Sequence, residues 1–300
     1  MKVRAPGKLL IAGAYAVLDG ASALVLAVDR YAIADGDVRA ANPTPEVLAA
    51  IKAEEAPEVD ASALRDGPHK LGLGSSAAML VASLGVAYAR AGRDILDREV
   101  RDALFADARR AHATVQMGGS GVDVAASVYG GVLDYAIASD GAPLVRDAAL
   151  PSGVVLKVFW CGEPASTSAM RARVDDLRAR NAGAYRARLD GIASASREAL
   201  AAGARGDAGA FLSAIRDGAD ALLALGHDAD APIFPASTIG LTRLALDEDA
   251  AFVPSGAGGG DVFVHVGRGP ASTRFVDAAA VAGLFPVTML LDSEGVRVLP

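Results

Sequence analysis

The sequence holds a single cysteine, Cys161, in 300 residues, so neither an intrachain disulfide nor a cysteine-based metal cluster can form. Four histidines, at positions 69, 112, 227 and 265, are scattered without the spacing of a zinc site. Aromatic residues make up only 5%, which leaves the core to Ala, Val and Leu. Lysine is scarce as well, with five against 24 arginines, so a lysine at a special place carries information. Acidic residues outnumber basic ones 36 to 29, for a net charge of −7. Such a chain is a poor general binder of nucleic acid or of anionic membranes. The uncharged stretch Leu71–Ala89 opens on Leu-Gly-Leu-Gly-Ser-Ser, and its helical part is too short to cross a bilayer, so a buried helix is expected. Lys2, Arg4 and the apolar run Leu9–Leu18 imitate a signal peptide, but Pro6-Gly7-Lys8 interrupts it and the apolar pattern resumes at Ala21–Val28. A cytoplasmic protein is expected.

What is present speaks for a folded chain. Hydrophobic residues are 52% and charged ones 22%, with a mean hydropathy of +0.31, which excludes a disordered segment. The length suits one large domain or two modest ones. Lys8–Ala14 and Ser22–Ala27 read as strands joined through Asp19-Gly20, and residues 35–68 read as polar and proline-punctuated, with a short exposed helix within Glu46–Glu55. Helical periodicity covers 75–91 and 97–113 and resumes at 124–128 after the glycine-rich residues 117–123. Val132–Ile137 and Val154–Trp160 read as strands flanking a linker at 138–150. Ala165–Asp220 reads as helix, and strands are expected at Asp261–Val266 and Val287–Leu291. Hairpins mixed with helices favour an α+β fold in two lobes, 1–150 and 151–300.

Three glycine clusters stand out. Gly72-Leu73-Gly74-Ser75-Ser76-Ala77 precedes the most apolar helix, and glycines with free helix N–H groups behind them suit a phosphate, although a capped Gly-Ser turn would look the same. The run is neither a P-loop nor a G-x-G-x-x-G. Gly118-Gly119-Ser120-Gly121 leads to Asp123, an acid entering an apolar segment that a helix cap would also explain. Ser255–Asp261 carries four glycines in five residues. Lys8 lies inside an apolar strand, where it must reach solvent or meet an anion.

Together, Ala5-Pro6-Gly7-Lys8-Leu9, the stretch from Pro68 to Ala78, and Ser255-Gly256-Ala257-Gly258-Gly259-Gly260-Asp261 resemble, in order, the three motifs of the GHMP kinase superfamily. Within it, Ala14-Tyr15-Ala16-Val17-Leu18-Asp19-Gly20, the run from Ala111-His112 through Gln116 to Ala126, and Trp160–Ser168 are similar to the phosphomevalonate kinase branch. Ala14 departs from that branch, which usually has glutamate there, and Val253 stands where a lysine is common. The resemblance implies an N-terminal lobe like a ribosomal-protein domain and a C-terminal ferredoxin-like lobe. It implies ATP and Mg²⁺, with ATP on Gly72, Leu73, Gly74, Ser75, Ser76 and Ala77, and Mg²⁺ on Ser75. Lys8 and Asp123 would stand at the reacting centre. The acceptor would be a small anion, (R)-5-phosphomevalonate, or alternatively mevalonate or another small alcohol; a non-catalytic nucleotide- or partner-binding relative is the other class. Lys70 and His69 are the first cations for that acceptor, with Tyr15, Ser120, Ser166, Thr167, Ser168, Gly258 and Gly259 lining its pocket. Uncharged helix faces allow a homodimer.

Overall fold

The computed structural model describes residues 1–116, 118–164 and 166–300. Met117, at the start of the glycine-rich stretch, and Ala165, at the start of the expected long helix, lie outside the described residues. In chain order the elements are β1 (Lys2–Ala12), a 3-10 turn (Ala16–Asp19), β2 (Ala23–Arg39), α1 (Pro45–Leu48), β3 (Pro57–Asp60), a second 3-10 turn (Ser62–Leu64), β4 (Arg65–Asp66) and β5 (His69–Lys70). Next come α2 (Ser75–Arg90), α3 (Arg98–Val115), α4 (Val122–Tyr129), β6 (Val132–Ile137), β7 (Pro143–Asp147), β8 (Val155–Trp160), α5 (Thr167–Arg180), α6 (Ala182–Arg205) and α7 (Ala208–Asp228). The chain closes with α8 (Ala236–Asp247), β9 (Ala251–Pro254), β10 (Val262–Gly267), α9 (Thr273–Val281), β11 (Phe285–Val287) and β12 (Arg297–Val298). One sheet has the order β12-β1-β2-β6-β7 with β3 beside β2, and another β11-β8-β10-β9; the class is α+β, as expected.

Two compact units interleave along the chain. The first comprises Met1–Leu9, Val25–Leu133 and Met289–Pro300. Its centre is α2, which buries Leu80, Val81, Leu84 and Val86 and packs on α1, α3, α4, β3 and β12. Gly85 permits the closest approach: a Cβ there would stand 2.7 Å from Val3 Cγ1 on β1. Helix α3 starts at Asp97, whose side chain accepts from the backbone N–H groups of Glu99 and Val100. A buried carboxylate, Asp292, is held by Tyr31 at 2.8 Å and by the N–H groups of Glu294 and Gly295, with Arg4 at 3.6 Å.

The second unit comprises Leu10–Leu24 and Asp134–Thr288. Strand β10 is buried along its whole length and pairs antiparallel with β8 and β9. The few aromatics concentrate here: Phe252 lies 5.2 Å from Phe263 and 5.3 Å from Phe275, centroid to centroid. Helices α6 and α7 pack along each other, joined at Gly206 (φ +70°) and Asp207, which caps α7 by accepting from Ala210 N.

The structure departs from the sequence reading in several places: the helix expected over Ala165–Asp220 is three, α5, α6 and α7, and four further differences bear on the fold. Strand β2 continues to Arg39, and its polar end pairs with β3 within the stretch read as irregular. The expected exposed helix is one turn, and its Glu46 is buried. Strand β7 occupies part of the expected linker. The last strand of its sheet, β11, lies at 285–287 rather than 287–291, because Phe285 pairs with Trp160.

Candidate functional site

In the first unit, three sequence-distant segments meet at Gly74. Strand β1 holds the glycine loop twice over: Lys8 N donates to Leu73 O at 2.9 Å, and Lys8 Nζ donates to Gly72 O at 3.0 Å. Gly7 makes the approach possible, since a Cβ there would lie 2.9 Å from Leu73 O. Gly72 and Gly74 both have left-handed backbones, φ +72° and +75°. A Cβ on Gly74 would stand 3.2 Å from both Lys8 Cγ and Asp123 Cβ. The side chains of Lys8 and Asp123 therefore both close on the space above Gly74.

Helix α2 begins at this point. Gly74 O takes the N–H of Ala78, and no side chain caps the helix, so the N–H groups of Ser75, Ser76 and Ala77 form its orphan first turn. Ser75 is buried and Ser76 half-buried. Leu73 and Ala77 are core residues, so only their backbones can serve a ligand. Helix α4 starts in the same way, from left-handed Gly121 (φ +83°), and Ser127 Oγ ties it to β1 by donating to Pro6 O at 2.7 Å.

Asp123 lies in the first turn of α4, where the helix dipole favours a carboxylate. Its Oδ1 accepts from Val124 N at 3.0 Å, and its Oδ2 lies 3.5 Å from His112 Nε2. Ser120 is half-buried in the preceding turn, its Oγ accepting from Val122 N at 3.5 Å. Lys70 and His69 lie on the β4–β5 hairpin, opposite Arg65 and Asp66, with exposed side chains. The hairpin leads straight into Gly72, so both side chains flank the loop rather than join the approach to Gly74.

In the second unit, the third glycine loop is laced to residues 10–15. Leu10 N donates to Ser255 Oγ at 3.0 Å, Gly256 N to Leu10 O at 3.1 Å, and Tyr15 OH to Ala257 O at 2.6 Å. Burial pushes the Tyr15 hydroxyl well above the usual phenol range, so it remains a neutral donor. The glycines are dictated by close contacts: a Cβ on Gly258 would lie 2.3 Å from Ile233 O, and one on Gly259 would lie 2.9 Å from Met170 Sδ. Asp261 anchors the end of the loop through its backbone, accepting from Cys161 N and donating to Glu163 O. Burial, with Asp261 and Glu163 nearby, pushes the Cys161 thiol up to about 12, which makes it a poor nucleophile. Ser166 caps α5, its Oγ accepting from Ala169 N at 3.3 Å and lying 3.2 Å from Ser168 Oγ; Thr167 begins the helix, and all three are exposed.

Among the described residues, no group of three or more His, Cys, Asp or Glu side chains is placed to hold a metal ion. Ser75, at the first position of α2, offers a hydroxyl oxygen of the kind Mg²⁺ takes beside phosphates and waters. The missing Cβ at Gly74 and the open first turn of α2 fit a phosphate chain.

Two contacts escape a reading of the sequence. His112 and Gln116 stand four residues apart on α3, and while His112 faces Asp123, Gln116 Nε2 donates to buried Glu46 Oε1 at 2.8 Å. Their i, i+4 spacing is the available signal.

Residues 44–131 match the GHMP kinases N terminal domain. Over 367 aligned positions the chain is 28% identical to a phosphomevalonate kinase of Streptomyces sp. (strain CL190), with 97% of each covered. Its fold is similar to that of the Lin0012 protein from Listeria innocua, with a TM-score of 0.83, 21% identity and 99% of both chains covered. It is similar also to Streptococcus pneumoniae phosphomevalonate kinase in complex with phosphomevalonate and AMPPNP, with a TM-score of 0.80, 19% identity, and 97% of this chain and 99% of that one covered. No helix among the described residues is long and apolar enough to cross a membrane. Residues 44–131 thus match the GHMP kinases N terminal domain, the fold is similar to that of a phosphomevalonate kinase, and the sequence is similar to that of a phosphomevalonate kinase.

Proposed function

We propose that the protein is an ATP-dependent kinase that phosphorylates (R)-5-phosphomevalonate to 5-diphosphomevalonate. The observation that carries the reading is the approach of both Lys8 and Asp123 to Gly74, where the open first turn of α2 begins. The similarity to phosphomevalonate kinase over nearly the whole chain supports the acceptor.

Phosphoryl transfer asks a protein chiefly for positioning and charge neutralisation. The backbone N–H groups of Gly72–Ala77 cradle the ATP phosphates. Ser75 would hold Mg²⁺ together with phosphate oxygens, and the ion would neutralise charge there. An oxygen of the acceptor phosphate attacks the γ-phosphorus, the bond to the β,γ-bridging oxygen breaks, and ADP leaves. Lys8 lies where it can meet both anions, and Asp123 orients it. The acceptor's second pKa is about 6, so its oxygen is already ionised near pH 7 and needs no base. Lys70 and His69, beside the loop, draw in the acceptor, and Ser120 donates to it. Tyr15, Gly258 and Gly259 shape the third loop, and Ser166, Thr167 and Ser168 offer hydroxyls beside it.

The test is a pair of variants assayed from pH 6 to 9. Lys8→Ala is expected to lose about a hundredfold or more in kcat. Asp123→Asn is expected to retain measurable turnover with the phosphate acceptor, because no proton must be removed. Complete loss for Asp123→Asn at every pH would contradict the orienting role.

A further inference from the structure

We propose that His112 is a positioning residue that holds the Asp123 carboxylate toward Lys8. The inference rests on the kinase reading for its consequence but on geometry for the pairing. His112 projects from α3 and is 7% exposed. Its Nε2 lies 3.5 Å from Asp123 Oδ2, while Oδ1 accepts from the N–H of the next residue, Val124. A bond to the adjacent backbone is a weak guide for a side chain that must stand against a glycine loop. The imidazole supplies the second point of attachment, from the side away from the backbone bond, and two points fix the carboxylate plane.

The other ring nitrogen completes the argument. Nδ1 is buried and has no hydrogen-bond partner among the described residues. It faces the glycine turn before α4, where a Cβ on Gly119 would be 4.0 Å away. A buried ring with one partnered nitrogen must choose where its proton sits. Placed on Nε2, the proton serves the carboxylate and leaves a bare acceptor at Nδ1. Placed on Nδ1, it would leave an orphaned donor and turn a lone pair toward an anion. The structure therefore assigns the Nε2–H tautomer. Among the described residues, Lys8 on β1 flanks Gly74 beside the same aspartate, and Gln116, one turn beyond His112, engages Glu46 of α1.

Packing against the glycine turn alone does not explain why a polar ring is buried here. A leucine would fill the volume without an orphaned nitrogen. The carboxylate is the one group the ring serves.

The experiment has two arms. In the first, ¹⁵N NMR of the labelled full-length protein reads the His112 ring: a protonated Nε2 and a bare Nδ1 are expected, and the Nε2 signal should move in Asp123→Asn. The Nδ1–H tautomer, or a ring indifferent to Asp123→Asn, would overturn the pairing whatever the protein phosphorylates. In the second, His112→Leu is expected to lower kcat about tenfold with KM for Mg-ATP within twofold. His112→Gln, which keeps a donor at similar reach, should recover most of the loss. In an Asp123→Asn background, His112→Leu should cost less than twofold, because the residue acts through the carboxylate. Equal losses in both backgrounds would show a merely structural ring and overturn the proposal. If wild-type protein binds Mg-ATP yet turns over no acceptor, the kinase reading fails while the NMR arm still decides the pairing.

Discussion

Gly74 and Tyr15 show how single residues are committed to the loops. Gly74 combines φ +75° with side chains 3.2 Å from its would-be Cβ. Gly74→Ala therefore strains the backbone and pushes on Lys8 and Asp123 together. A loss of about 1–3 kcal/mol in urea unfolding is expected, together with loss of stabilisation by Mg-ATP. Retained nucleotide stabilisation would show that the phosphates lie elsewhere. Tyr15 has φ 63° and ψ −52°, and Ala16 N donates to Ala14 O at 2.8 Å, so it centres a γ-turn of the strained, positive-φ kind. That strain is held by its buried ring and by the bond to Ala257 O. Tyr15→Phe leaves that carbonyl unpartnered and should cost about 1–2 kcal/mol, with a larger effect on KM than on kcat. The sequence reading expects Tyr15 as a wall of the acceptor pocket; its hydroxyl serves the neighbouring loop, a contact across 242 positions that no local pattern reveals.

Strand β10 illustrates the scale of the element. His265 sits at its centre, 2% exposed, paired across to Phe252 and Lys157, with the Phe275 ring 4.6 Å away. Neither ring nitrogen has a hydrogen-bond partner among the described residues, and burial lowers its pKa below the usual histidine value, against a weaker opposing pull from Glu248. The folded state thus resists a proton that the unfolded chain takes up near pH 6.5. The resulting stability is present above that pH and is lost as pH falls through the depressed native value. His265→Leu should flatten the decline in thermal stability between pH 7 and 5; an unchanged decline would place the titrating group elsewhere. Elements with strong local signals, such as α2 and β6, were legible from periodicity and apolar runs. Strand β2 was not, because its outer end, Asp35–Arg39, is mostly polar and is a strand through pairing with β3. Glu46 misled for the same reason: its burial depends on Gln116, 70 positions away.

At the scale of the whole molecule, the legible part was the order of three glycine motifs, since each needs residue types that few other uses would keep together. The convergence at Gly74 was legible only as a resemblance, because β1, the loop and α4 are brought together by tertiary packing. On the proposed reading this −7 protein meets two anions through backbone N–H groups and a few cations, so stabilisation by Mg-ATP should weaken with added salt. At a hundredfold excess over Kd, Mg-ATP should raise stability by about 2.7 kcal/mol, and Lys8→Ala should remove most of that shift. A shift insensitive to Lys8→Ala would separate nucleotide binding from this site. The most direct test of the central claim is ADP release by the purified protein with Mg-ATP and, in parallel, mevalonate or 5-phosphomevalonate. Turnover with 5-phosphomevalonate and not with mevalonate is the predicted result. Turnover with mevalonate alone would contradict the acceptor, and no ADP release with either would contradict the proposed reaction.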